Sequence, residues 1–165
     1  MVNKSEKIYA FIDSQNLNLG VMSQGWKLSF ERFRVYMRDK YKVEKAYLFI
    51  GYIPDNQNLY TYLQTVGYIL IFKPVLEISG RNGKVVKIKG NVDAELVLHA
   101  MIECPNYSKA VIVSGDGDFF CLIEYLDGQK KLEKIIVPNE KYSSLLRKYS
   151  SYIVNISLLR SKLEG

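Results

Sequence analysis

Three places in the chain set an aspartate directly after or beside an apolar run. Phe11-Ile12-Asp13 continues into Ser14-Gln15-Asn16, Val113 leads into Ser114-Gly115-Asp116-Gly117-Asp118-Phe119, and Asp93 follows Lys89-Gly90-Asn91-Val92. A single Asp at such a junction is most simply a helix N-cap or a first-turn acid favoured by the helix dipole. Three junctions that all carry Asp, one of them as Asp-Gly-Asp, point to a shared use. Gathered carboxylates repel, which raises at least one pKa unless a cation lies among them. Hard oxygen donors without Cys or His suit Mg²⁺ or Mn²⁺. A site of this kind suits phosphodiester hydrolysis, where the metal helps deprotonate the attacking water and stabilises charge on the scissile phosphate. Asp13, Asp93, Asp116 and Asp118 are the candidate metal acids. Asn16, three residues after Asp13, carries an amide able to contact phosphate or orient a water. Ser114 can orient a carboxylate or close an ordinary turn.

These acids act together only if the chain brings their strand ends to one place. Apolar and β-rich runs at 7–12, 46–52, 68–72, 110–113, 134–137 and 152–156 read as strands. Helical spacing occupies 30–38, 56–66, 92–103, 119–126, 142–149 and 158–163. Strands alternating with helices imply a largely parallel sheet covered by helices on both faces. Ligands bind beyond the carboxyl ends of such strands, where the strand order reverses. The acids converge if the first and fourth strands are neighbours. Residues 74–89 break the rhythm, with Ser79-Gly80-Arg81-Asn82-Gly83 between two β-prone runs, and predict a hairpin excursion. It carries Arg81, Lys84, Lys87 and Lys89 against Glu77 alone. Arg81, Lys87 and Lys89 are therefore candidate phosphate contacts beside the acids. A second basic stretch covers 27–45, and solvated surface is the plainer reading of both.

At 165 residues the chain fits one domain, with 48% hydrophobic and 24% charged residues, an ordinary globular composition. Lys and Arg number 23 against 17 Asp and Glu, a formal charge of +6, so a polyanionic partner is worth testing for. The polar N-terminus, with no apolar region followed by a small-residue cleavage site, argues against export, and the apolar runs fall short of the roughly 20 residues of a membrane helix. Cys104 and Cys121 sit in apolar patterns without zinc-ligand spacing, as reduced core thiols do in a cytosol. The expected setting is cytoplasmic, with no membrane partner.

The blocks Phe11-Ile12-Asp13 with Asn16, Lys89-Gly90-Asn91-Val92-Asp93, and Ser114-Gly115-Asp116-Gly117-Asp118-Phe119 resemble the three signature blocks of the NYN domain, in its LabA-like branch, within the PIN-like nucleases. The resemblance covers about residues 7–137, within one domain of 1–165 whose last part, 138–165, is a C-terminal β/α extension. It implies a Rossmann-like three-layer α/β/α fold with a mainly parallel sheet in the order 3-2-1-4-5. It also implies an acidic metal site and ribonuclease activity on RNA in processing or decay. Many relatives carry an acid six positions after the second-block aspartate, where this chain has His99. His99 is either a packed helix residue or an additional ligand. Glu95, four residues before it, is a further candidate acid or an i,i+4 partner of His99 on an exposed face. Two other readings stand beside the ribonuclease. A catalytically weak RNA-binding or assembly module, open to homodimer formation, would use tyrosines such as Tyr60, Tyr62, Tyr142, Tyr149 and Tyr152. A haloacid-dehalogenase-type phosphatase would need a second Asp two residues after the first, where Gln15 stands.

Overall fold

The computed structural model describes residues 6–74, 76–79, 85–89 and 92–165, with the backbone alone for Pro74 and for residues 76–79 and 85–89. Six strands form one sheet: β1 (Ile8–Asp13), β2 (Val43–Tyr52), β3 (Tyr68–Pro74), β6 (Lys109–Val113), β7 (Leu132–Val137) and β8 (Ile153–Asn155). Their order is β3-β2-β1-β6-β7-β8, and every neighbouring pair is parallel. The expected order of five strands is thus present, with β8 added at the edge. Two further strands, β4 (Leu76–Ser79) and β5 (Val85–Lys89), pair antiparallel as the hairpin excursion requires. Lys87 stands opposite Ile78 in that register and Lys89 opposite Leu76, whereas Arg81 lies outside the described residues.

The central strand shows why the sheet must be covered twice, since all six residues of β1 are buried. Ile8, Ala10 and Ile12 face one core, shared with α1 (Ser14–Met22) and α2 (Phe30–Tyr41) through Leu17, Val21, Phe33 and Met37. Tyr9 and Phe11 face the other, shared with α4 (Asp93–Ile102) and α5 (Phe120–Gly128) through Leu96, Ala100, Ile123 and Leu126. This alternation about a strand buried on both faces gives the three-layer α/β/α architecture. The remaining helices are α3 (Gln57–Thr65) and the single turn α6 (Arg160–Leu163). Among the described residues no helix is long and apolar enough to cross a membrane.

Local departures from the sequence expectation fall where weak helix formers or tertiary ties decide. Helix α1 has no counterpart among the segments of helical spacing, although an N-cap at Asp13 implies a helix after it. Asn16, Asn18 and Gly20 are poor helix formers, yet Leu17 and Val21, one turn apart, are buried and hold the segment to the sheet. Residues 142–149, of helical spacing, instead form a 3-10 stretch, Ser144–Tyr152, with a kink at Tyr149. The 158–163 helix likewise splits into a 3-10 turn, Ile156–Leu159, and α6.

The chain after β7 is fastened to both neighbours of the first strand end. Asn139, buried, donates from Nδ2 to the Gly20 carbonyl at 2.9 Å and accepts from the Lys141 amide at 2.8 Å. The Ser143 amide donates to the Gly115 carbonyl at 2.9 Å. A Cβ on Gly20 would overlap the Pro138 ring, so only glycine admits this approach. Gly20→Ala is expected to destabilise the protein by about 1–3 kcal/mol, a Tm loss of roughly 2–4 °C per kcal/mol at this chain length. Gly128→Ala, whose Cβ would meet nothing within 4 Å, serves as the control in the same thermal melt. Equal Tm values for the two variants would contradict the Gly20–Pro138 contact.

Candidate metal centre

The β1–β6 register decides the site. Ile12 pairs with Val113 at the carboxyl ends of the two strands, so Asp13 and Ser114 emerge side by side. Ser114, buried, donates from Oγ to Asp13 Oδ2 at 3.3 Å and accepts from the Asp116 amide at 3.1 Å. One hydroxyl thus orients a carboxylate and closes the Asp-Gly-Asp turn. Asp13 Oδ1 accepts from the Asn16 amide at 3.2 Å, the N-cap of α1. The Asn16 side chain reaches across, its Oδ1 accepting from the Gly115 amide at 2.9 Å. Asp116 caps its own turn by accepting from the Asp118 amide at 2.9 Å. Asp93 opens α4, whose Leu96 and Ala100 pack against the Phe11 side of the sheet. Each aspartate therefore fills its local capping or first-turn role, and all three also meet.

Asp13, Asp93 and Asp116 each present a carboxylate oxygen, and these oxygens lie within 4.8 Å of one another. Burial, followed by the charges of Asp13, Asp116 and Asp118, pushes the Asp93 carboxyl up from its usual 3.8 to about 6. Asp118 is also hydrogen-bonded to the Asp93 side chain. Burial raises the Asp13 carboxyl too, and the hydrogen bonds from Asn16 and Ser114 oppose that rise. Clustered carboxylate oxygens this close to one another fit a hard divalent cation of the Mg²⁺ or Mn²⁺ type.

The structure places the other candidates differently. The His99 ring packs against Phe49, centroids 5.6 Å apart, and His99 does not belong to the acid cluster. Glu95 pairs with Lys73 at the end of β3, 3.5 Å away, which corrects the expected Glu95–His99 pair. Of the tyrosines, Tyr60 and Tyr149 are core residues, whereas Tyr62 is exposed.

Two clefts flank the acids, with α1 between them. One, of about 340 Å³, lies between α1 and the chain after β7 and is lined by Asn16, Gly115, Asn139, Lys141 and Tyr142. The other, of about 320 Å³, lies between α1 and the end of β2 and touches Ser14 and Val92, the neighbours of Asp13 and Asp93. A larger cavity, of about 630 Å³, is bounded by α2 and Lys162 and includes none of the acids. Lys141 was absent from the sequence candidates. The strand-end rule that identified Asp13 and Asp116 also reaches it, because it follows β7 by four residues.

The raised Asp93 carboxyl has a signed consequence. Its folded pKa of about 6 exceeds the unfolded value of 3.8, so the folded state holds the extra proton between those values. The contribution of this proton is fully present below about 3.8 and is lost as pH rises through about 6. Metal binding needs the deprotonated carboxylate and follows the opposite trend. Mg²⁺ or Mn²⁺ should raise Tm more at pH 7.5 than at pH 5. Asp93→Asn should raise the metal-free Tm at pH 7.5 by a few degrees, about 1 kcal/mol of relieved repulsion, and abolish the metal-induced rise. A variant less stable than wild type without metal would contradict the like-charge account.

The NYN domain family profile matches residues 7–157. "Low amplitude and bright protein LabA" of Synechococcus elongatus is 24% identical over 169 residues, covering 99% of this chain and 91% of that protein. The crystal structure of a protein of unknown function from Vibrio parahaemolyticus superposes with a TM-score of 0.72 at 25% identity, over 94% of this chain and 96% of that one. With a family match across nearly the whole chain, laid over an acid cluster at the ends of β1 and β6, the protein belongs to the NYN domain family, in the LabA-like branch of the PIN-like superfamily.

Proposed function

We propose that this protein is a Mg²⁺- or Mn²⁺-dependent ribonuclease that hydrolyses phosphodiester bonds in RNA processing or decay, in the cytoplasm. The observation that carries this reading is the convergence of three carboxylates within 4.8 Å at the carboxyl edge of an NYN-family sheet, where open α/β sheets bind their ligands.

Asp13, Asp93 and Asp116 would hold the cation, with Asp118 beside Asp93. A cation bound there would supply Lewis-acid stabilisation of charge on the scissile phosphate and a more acidic attacking water. The protein's own groups do the rest. Ser114 and the Asn16 amide fix the Asp13 carboxylate through one hydrogen bond to each oxygen. Asn16 commits its carbonyl oxygen to Gly115 and keeps its NH₂ for a phosphate oxygen. Lys141, in the cleft beside Asn16, places positive charge on the path of the RNA backbone. Lys87 and Lys89 in β5, and Arg81, which lies outside the described residues, are the further candidate phosphate contacts.

Labelled single-stranded RNA, hairpin RNA and DNA, incubated with Mn²⁺, Mg²⁺ or EDTA, test the proposal directly. Wild type should cut RNA only with metal. Asp13→Asn and Asp116→Asn should each lose more than about a hundredfold, and Ser114→Ala about 10–100-fold, as for a group that orients a metal ligand. RNA that is bound but never cut in any metal would replace the enzyme with the RNA-binding module.

The cationic path has its own measurement. Lys141→Ala should weaken RNA binding across sequences and lower the slope of log Kd against log salt by about 1, and neutralising Lys87 with Lys89 by about 2. An unchanged slope would remove that lysine from the path.

A further inference from the structure

The cleft between α1 and the end of β2 differs in chemistry from its counterpart across the helix. Its floor is apolar, formed by Phe49, Ile50 and Tyr60, and its rim carries the side-chain amides Gln15, Asn18 and Asn56. Among the described residues, none that lines it carries a charge at neutral pH. The opposite cleft contains Lys141. A phosphate would favour the Lys141 side, because none of the described residues lining the neutral cleft answers its charge.

The rim amides are uncommitted. Gln15 and Asn56 make no side-chain hydrogen bond among the described residues, and Asn18 makes only a 3.6 Å contact to the Met22 sulfur. The Tyr60 hydroxyl, by contrast, is fully used. It donates to the Gly51 carbonyl at 3.2 Å and accepts from the Ile53 amide at 2.8 Å, which fixes the wall of the cleft. A cleft of about 320 Å³ lies at the small end of the 300–1,000 Å³ range for ligand sites. A flat, neutral group with apolar faces and donors and acceptors on its edge matches this lining. Nucleobases have that chemistry, and a side-chain amide offers the paired donor and acceptor that read a base edge.

We infer that the neutral cleft between α1 and β2 is a nucleobase subsite: it receives one unpaired base next to the scissile phosphate, with Gln15, Asn18 and Asn56 reading its edge. This rests on the ribonuclease reading for its placement, since Ser14 and Val92 tie the cleft to Asp13 and Asp93. The base must leave its stack to enter, so the subsite selects single-stranded positions. The three amides are specificity residues. The metal acids stay outside this role.

Two measurements separate the subsite from the activity. In the first, a random single-stranded RNA pool is cut with Mn²⁺ and the cleavage sites are sequenced, for wild type, Gln15→Ala/Asn56→Ala and the cleft-filling Asn56→Trp. Wild type should show a preference of about tenfold for one or two bases at one position beside the break, and both variants should flatten it to about twofold or less. In the second, adenosine, guanosine, cytidine and uridine, which carry no phosphate, are titrated without metal while amide NMR signals are followed. Signals from residues 49–60 should shift in wild type and stay still in Asn56→Trp. Cutting with no base preference, or a preference unchanged in both variants, would overturn the subsite and leave the nuclease standing. Nucleoside binding at residues 49–60 without RNA cleavage would support the subsite and overturn the ribonuclease reading. The substituted side chains lie on the rim of the cleft, so both variants are expected to fold.

Discussion

Like charge is the constraint around which this molecule is arranged. Asp13, Asp93 and Asp116 come together where water is partly excluded, and their mutual repulsion has to be resisted by the rest of the fold. The parallel pairing of β1 with β6 supplies the first resistance, because the register that aligns Ile12 with Val113 brings Asp13 beside Ser114, whose hydroxyl donates to it. Packing of α4 against the Phe11 face supplies the second by holding Asp93 over the same edge. The chain after β7 supplies the third, with Ser143 tied to Gly115 and Asn139 tied to Gly20. Two hydrophobic cores, one on each face of the sheet, therefore hold a strained polar edge in place.

Much of this was legible in the sequence because buried parallel strands announce themselves. Tyr9 to Ile12 and Ala110 to Val113 are apolar on both faces, so their ends, and the acids just beyond, could be located without coordinates. The three aspartates were legible through block order and spacing. Helix α1 was legible only through the cap at Asp13, since its asparagines and glycine argue locally against a helix, and Leu17 and Val21, packed on the sheet, hold it. Lys141 was within reach of the strand-end rule, but its place beside the site was hidden for a related reason. It belongs to a short connection whose position depends on Asn139 and Ser143 bonding to distant residues, and hydropathy does not register those bonds. The helical period of 142–149 was genuine as a pattern of burial, with Leu146 and Tyr149 inside, but the backbone satisfies it with 3-10 turns.

The capping reading and the metal reading of the aspartates turn out to be compatible. Asp13 caps α1, Asp116 caps the turn that follows β6, and Asp93 sits in the first turn of α4, each in the role local physics assigns. What distinguishes them from ordinary caps is the topology that superimposes three such positions on one point. The same topology divides the surroundings. Helix α1 stands between a neutral, amide-rimmed cleft and one that carries a lysine, so the acids look out on two different chemistries.

The hydrogen bonds to Asp13 have a further consequence. One oxygen is held by the Asn16 amide and the other by the Ser114 hydroxyl, and the side chain is almost fully buried. Its χ angles were fixed when the chain folded, so the rotational entropy that a free carboxylate surrenders on chelation has already been lost. Folding has therefore met the ordering cost of this ligand in advance, and a cation arriving at the sheet edge meets a donor that has no conformations left to give up.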